Sequence, residues 1–123
     1  MIIDHFGLAV GNYEQSRAFY TEALAPLGIE PILEIDGWVG FGRFGKPEFW
    51  FGEQADRQLP MHFAFTAESR AAVDAFHRAA LAAGGTDNGA PGLRENYHPH
   101  YYGAFVVDPD GHNIEAVCHA PDG

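Results

Sequence analysis

HFGLAVGNYEQSRAFYTEALAPLG, residues 5–28, has a counterpart in HFAFTAESRAAVDAFHRAALAAGG, residues 62–85. The two stretches align without a gap, and each opens on His-Phe. Paired positions also share a structural task, because each stretch supplies an alternating strand, a helix cap, an apolar helix stripe and a terminal glycine. We interpret the chain as two copies of one supersecondary unit, each covering the apolar face of the other.

The first strand of each copy alternates between two kinds of side chain, starting at Ile2 in copy one. One face carries bulky residues and the other carries a histidine with small neighbours. The bulky residues are Phe6, Leu8 and Val10 in copy one and Met61, Phe63 and Phe65 in copy two; the opposite faces carry His5, Gly7 and Ala9, and His62, Ala64 and Thr66. We expect the bulky faces to pack beneath helices and the histidine faces to border a cavity.

Each copy then predicts a helix followed by three strands, so each reads βαβββ. Asn12 and Ser69 are helix N-caps by residue type, and Gly28 and Gly84-Gly85 are typical of helix ends. The predicted strands span 30–35, 38–44 and 48–51 in copy one and 93–97, 101–107 and 113–118 in copy two. A Pro- and Gly-containing turn at 108–111 predicts a hairpin. The Gly-, Pro- and Asn-rich segment 84–93 predicts a loop.

The chain length, the apolar content and the repeat predict one α+β domain over residues 1–123, with module one at about 1–56 and module two at about 57–123. A formal charge of −10 disfavours nucleic acid and anionic membranes as partners and leaves small molecules. There is no apolar run of membrane-spanning length, and Cys118 is the only cysteine, so we expect a cytoplasmic protein without an internal disulfide.

His5, His62 and Glu115 are the candidate ligands of a divalent metal. The two histidines stand at the same position of the two copies, and Glu115 lies within the strand-like run Asn-Ile-Glu-Ala-Val-Cys. A carboxylate there is expensive to bury unless a cation or donors meet it. Two imidazoles and one carboxylate suit a divalent ion and leave coordination positions open, as in catalytic sites. The alternatives are two ordinary strand histidines and a glutamate exposed on an edge strand.

Other residues predict the surroundings of this site. His98 and His100 are candidate general acids or bases, and the alternative is a surface loop whose aromatic residues cap the cavity. An aromatic lining suited to a planar or apolar ligand is predicted from Phe44, Phe49, Phe51, Trp38 and Trp50, although core packing explains aromatic residues equally well. His77 and His112 are expected to be solvated, and His119 to have no role.

The duplicated βαβββ plan, His5, His62 and the hairpin from Phe105 through Val-Val-Asp-Pro-Asp-Gly-His-Asn-Ile to Glu115 resemble the vicinal oxygen chelate superfamily. This group contains glyoxalases, bleomycin-binding resistance proteins, fosfomycin-resistance enzymes and extradiol dioxygenases. The resemblance covers essentially the whole chain. It implies sheets curled into a half-open barrel around the site, pairing of modules within a subunit or across a homodimer, and His5, His62 and Glu115 as ligands that hold a metal for two neighbouring substrate oxygens.

The sequence departs from some of these relatives. The position matching Glu115 in copy one falls at Trp50 or Phe51, so the fourth ligand of glyoxalase I is absent. We therefore expect a metal-dependent isomerase, lyase or dioxygenase using Fe, Mn, Ni or Zn on a small substrate. The alternatives are a metal-free binding protein of the bleomycin-resistance type and a member that has lost both activities.

Overall fold

A computed structural model describes residues 3–54 and 59–121 of the chain. Module one contains β1 (Phe6–Val10), α1 (Tyr13–Leu24), β2 (Glu30–Ile35), β3 (Trp38–Arg43) and β4 (Lys46–Glu53). Module two contains β5 (His62–Thr66), α2 (Arg70–Ala82), β6 (Thr86–Leu93), β7 (Tyr102–Val107) and β8 (Asn113–Cys118). The predicted βαβββ order is confirmed in both modules. Ile2 and the predicted module boundary at 56/57 lie outside the described residues.

Each module folds into its own four-stranded mixed sheet. The strand orders are β1-β4-β3-β2 and β5-β8-β7-β6, so the last strand of each module lies beside the first. This pair of strands is parallel in both sheets, and the other pairs are antiparallel. Neither sheet closes on itself, which agrees with the expected half-open architecture.

Both helices begin where the sequence predicts. The side chain of Asn12 accepts a hydrogen bond from Gln15 N at 2.9 Å, and Ser69 Oγ accepts one from Ala72 N at 3.0 Å. These caps satisfy backbone donors that an isolated helix terminus leaves unpaired. Gly28 and Gly84 adopt φ of 76° and 105°, a region that favours glycine, after the helical segments.

The predicted loop 84–93 is wrong, because Thr86–Leu93 forms strand β6. β6 is an edge strand, and its register against β7 shifts on both sides of Gly89, where φ is 155°. Edge position and irregular pairing tolerate the glycines and proline that suggested a loop. The predicted strand 93–97 is also wrong, since the chain turns after Leu93. In copy one, β3 ends at Arg43, because Phe44 takes a positive φ of 54° in the turn to β4.

The phenylalanines of the two sheets meet in a shared core. The ring of Phe6 lies 5.3 Å from that of Phe63, and the ring of Phe49 lies 5.5 Å from Phe63 and 5.4 Å from Phe65. Leu8 and Phe76 are fully buried in the same cluster. The predicted bulky faces of β1 and β5 are thus the inward faces of their sheets.

The β7–β8 turn fastens module two to module one. Tyr20, on α1, donates its hydroxyl to the buried carboxylate of Asp108, which also accepts the backbone N–H groups of Asp110 and His112 at 2.9 Å. Asp110 in turn accepts Gly11 N at 2.9 Å. Burial raises the pKa of both the Tyr20 phenol and the Asp108 carboxyl. The predicted turn at 108–111 is confirmed, and it also joins the modules.

Two histidines expected to be solvated are covered instead. His112 is fully buried, and its Nδ1 accepts Met61 N at 2.9 Å because the β7–β8 turn folds over the start of β5. The side chain of His77 is only 12% exposed, and its Nε2 lies 2.9 Å from Asp87, which the unpredicted strand β6 places beside α2. Both predictions were wrong because each histidine is covered by a segment that local sequence patterns do not place beside it.

We predict that Tyr20→Phe lowers the free energy of unfolding by about 1–3 kcal/mol, because the buried Asp108 carboxylate loses a hydroxyl donor. Denaturant unfolding at neutral pH measures the change. The control is Tyr13→Phe, whose hydroxyl donates to Glu34 on the exposed surface and whose loss should cost under about 1 kcal/mol. Equal losses in the two variants would contradict a fastening role for Tyr20.

Candidate metal centre

Glu115 is a buried acid on a central strand. It is 1% exposed, and β8 lies between β5 and β7, so the edge-strand alternative is wrong. The hydroxyl of Tyr101 donates to Oε1 of Glu115 at 2.5 Å, and Nε2 of His62 contacts Oε2. Each carboxylate oxygen therefore has a partner, which offsets part of the cost of burial.

His62 faces Glu115 from the neighbouring strand. Parallel pairing sets Ala64 opposite Glu115 and His62 opposite Asn113. The amide nitrogen of Asn113 lies 3.2 Å from His62 Nδ1, and the Asn113 oxygen accepts from Asn88 at 2.7 Å. These contacts orient the imidazole, while its side chain stays 66% exposed. The second sheet therefore places an oriented, exposed imidazole beside a buried carboxylate.

Burial raises the pKa of the Tyr101 phenol, and its hydrogen bond to Glu115 and the charge of that carboxylate act in the same direction. The phenol is therefore protonated at neutral pH and acts as a donor. The phenol thus occupies Oε1 of Glu115, and Oε2 is the carboxylate oxygen that contacts His62.

His5 belongs to a separate cleft on the first sheet. The cleft has a volume of about 690 Å³ and is lined by His5, Gly7, Ile35, Asp36, Trp38, Pro47 and Trp50. His5 Nδ1 lies 2.8 Å from Asp4, whose carboxylate also pairs with Lys46 at 3.1 Å. The imidazole is 62% exposed. The cavity expected beside the first histidine is present.

Within one chain, His5 and His62 point away from each other. Phe6 and Phe63 meet in the core, and side chains alternate along a strand, so the preceding histidines lie on outward faces. Among residues 3–54 and 59–121, no group of three or more His, Cys, Asp or Glu side chains could hold a metal ion. One chain therefore brings together His62 and Glu115, and leaves His5 on the other sheet.

Strand register identifies the counterpart of Glu115 in module one. Gly7 pairs with Trp50, and Ala64, which matches Gly7 in the repeat, pairs with Glu115. Trp50, and not Phe51, therefore occupies the equivalent position. The first sheet has an indole where the second has a carboxylate, so the expected absence of a second carboxylate at this position is confirmed.

The predicted aromatic lining is only partly present. Trp38 and Trp50 line the cleft, whereas Phe49 and Phe51 are buried in the core and Phe44 is 97% exposed at a turn. Alternation along β4 explains the difference, because Phe49 and Phe51 flank Trp50 and point to the opposite face.

His98 and His100 lie on the far side of His119 and Tyr101 from Glu115. The His98 ring is 5.1 Å from His119, and the His119 ring is 5.4 Å from Tyr101. Tyr101 and His119 thus stand between the loop histidines and Glu115. The roles of His98 and His100 stay predictions. His119 was given no role, yet alternation along β8 places it on the face of Glu115, and that signal could have found it.

The family model of the Glyoxalase/Bleomycin resistance protein/Dioxygenase superfamily matches residues 2–116 of the chain. The chain belongs to this superfamily. The resemblance inferred from the sequence is thereby confirmed, as is the fold class. No curated protein matches the chain. Within the described residues, neither helix is long and apolar enough to cross a membrane.

Several solved structures share the architecture. A glyoxalase/bleomycin resistance protein from Albidiferax ferrireducens T118 is 31% identical, with coverage of 93% of this chain and 96% of that one and a TM-score of 0.80. An integron cassette protein from the Halifax Harbour sewage outfall metagenome is 25% identical, with coverage of 93% and 95% and a TM-score of 0.71. The oxidase ChaP-H2 is 20% identical, with coverage of 100% and 96% and a TM-score of 0.71; at that identity it shows the fold alone.

Proposed function

We propose that this chain is a divalent-metal-dependent enzyme that binds two neighbouring oxygens of a small substrate. The observation that carries the proposal is the contact between the buried carboxylate of Glu115 and the exposed imidazole of His62 on an open sheet face. We call this face, with His62 and Glu115, the metal wall.

The donor set fits a catalytic metal. Imidazole nitrogen and carboxylate oxygen suit Fe, Mn, Ni or Zn, and the carboxylate offsets part of the ion's charge. A bound ion would supply Lewis acidity that stabilises negative charge on the substrate oxygens. Asn113 orients His62, and Tyr101 holds one oxygen of Glu115. His98 and His100, at the edge of the wall, would exchange protons with the substrate.

The third ligand in this proposal is His5 of the partner subunit in a homodimer. His5 and His62 occupy the same position of the repeat and lie on opposite outward faces of one chain, each largely exposed. A second copy that sets its first sheet against the metal wall would bring the partner's His5 to His62 and Glu115. Two-fold symmetry would then build two identical sites.

A metal-free binding protein is the second candidate, and the tryptophan-lined cleft around His5 favours it. Such a protein would bind a small aromatic compound without using Glu115. Metal uptake separates the two candidates.

We predict that the purified, tag-free protein takes up close to one divalent ion per chain and gains thermal stability with Mn, Fe, Ni or Zn, because an ion that binds only the folded state stabilises it. Glu115→Ala should abolish both effects while far-ultraviolet circular dichroism stays unchanged. The control is Glu95→Ala, an exposed acid that should change neither. Uptake below about a tenth of an equivalent in the unaltered protein would remove the enzyme proposal.

Subunit mixing tests the shared site. His5→Ala and Glu115→Ala should each lose metal binding as homodimers. After joint unfolding and refolding, random pairing makes about half of the dimers mixed, each with one intact site, so about a quarter of the original sites should return. His62→Ala mixed with Glu115→Ala is the control and should restore none, because both ligands come from the same wall. A His5→Ala mixture that restores no metal binding would contradict the shared site.

Tyr101→Phe should weaken metal binding about 10- to 100-fold, because it removes the donor that orients a ligand carboxylate. Titration calorimetry with Mn²⁺ measures the change. Tyr97→Phe removes a phenol from the same loop at an exposed position and should have little effect. Equal affinities of the two variants would show that Tyr101 does not orient Glu115.

A further inference from the structure

The only two tryptophans of the sequence lie on the same face of the first sheet. Trp38, on β3, and Trp50, on β4, both line the His5 cleft. We call this pair of indoles the tryptophan floor.

Glycines beneath the indoles let them lie flat on the sheet. A Cβ added at Gly52 would lie 2.6 Å from Cδ2 and Cε2 of Trp38, the two atoms shared by the fused rings. A Cβ added at Gly40 would lie 2.8 Å from Cε2 and Cζ2 of Trp50. The nearest Trp38 atoms are the two shared by its fused rings, so the face of that indole covers Gly52, whereas Trp50 lies over Gly40 along its Cε2–Cζ2 bond.

Core packing does not account for the floor. The buried aromatic residues of β3 and β4 are Phe41, Phe49 and Phe51, all on the other face of the sheet. Both tryptophans are half-buried and border open space. Two large aromatic side chains that line a cleft instead of the core are typical of a ligand surface.

The floor is particular to module one. Because Trp50 matches Glu115, the same alignment of β3 with β7 sets Trp38 against Gly103 and Gly40 against Phe105. The second sheet thus has a carboxylate and a glycine where the first has two indoles. The repeat thus carries its two tryptophans on one sheet and the matching carboxylate on the other.

We propose that the tryptophan floor binds the flat, π-conjugated part of the substrate, whose neighbouring oxygens reach the metal wall. Stacking on indoles that line one face of a sheet selects flat rings over puckered ones, because only a flat ring touches an indole with its whole face. The assignment of the oxygens rests on the proposed function. The preference for flat ligands is a property of this chain's own cleft and is tested without metal.

The test uses the full-length protein and two probes of the same carbon skeleton and diol pattern, naphthalene-2,3-diol and decahydronaphthalene-2,3-diol. Titration calorimetry measures both affinities, first without metal and then with Mn²⁺. We expect the flat diol to bind at least about tenfold more tightly than the saturated one in both conditions. Trp38→Leu and Trp50→Leu should each reduce that ratio several-fold. Phe44→Leu is the control, since it removes an exposed aromatic ring outside the cleft.

Equal affinities for the two diols, no detectable binding of either, or a ratio that both tryptophan variants preserve would overturn the floor. If one tryptophan variant fails to fold, the other still tests the proposal, because the two indoles lie on different strands. Gly40→Ala adds a third variant that lifts Trp50 without removing it. A flat-ligand preference without Mn²⁺ uptake would retain the floor and reject the metal enzyme, whereas Mn²⁺ uptake without that preference would do the reverse.

Discussion

The contact between Phe6 and Phe63 constrains where the chemistry of this protein can lie. Because these rings share a core, strand alternation turns His62 away from it, and His5 lines a cleft on the outer face of the first sheet. The core that makes one stable unit from two modules is therefore also what separates the two imidazoles. A site that used both imidazoles would need a second subunit. Both histidine side chains are largely exposed.

Glu115 shows how a buried charge is maintained at such a face. Its strand is central, so solvent cannot hydrate the carboxylate, and protein groups replace the water. Tyr101 supplies a hydroxyl donor to one oxygen, and an imidazole nitrogen of His62 contacts the other. Retaining an acid in this place costs stability compared with an apolar residue, and a structural role alone does not require it.

Strand alternation and capping chemistry were readable from the sequence, because they depend on neighbours two to four residues apart. This is why β5, β8 and both helices lie where predicted and why Glu115 could be selected, whereas β1 begins only at Phe6, after the predicted start of its strand. The wrong predictions concern residues whose structure depends on contacts with distant segments of the chain. β6 contains the glycines and proline of a loop, but β7 offers it partners, and His112 is buried only because the turn before β8 reaches Met61. The opposite directions of His5 and His62 depend on how the modules pack, which no local pattern encodes.

The match in register between Trp50 and Glu115 has an evolutionary consequence. A protein with two identical halves would present the same chemistry on both faces, and any substitution would alter them together. Here each half is encoded by its own stretch of the gene, so one sheet can acquire indoles while the other keeps its carboxylate. Duplication followed by such divergence lets the two sheets acquire different side chains while the shared architecture stays the same.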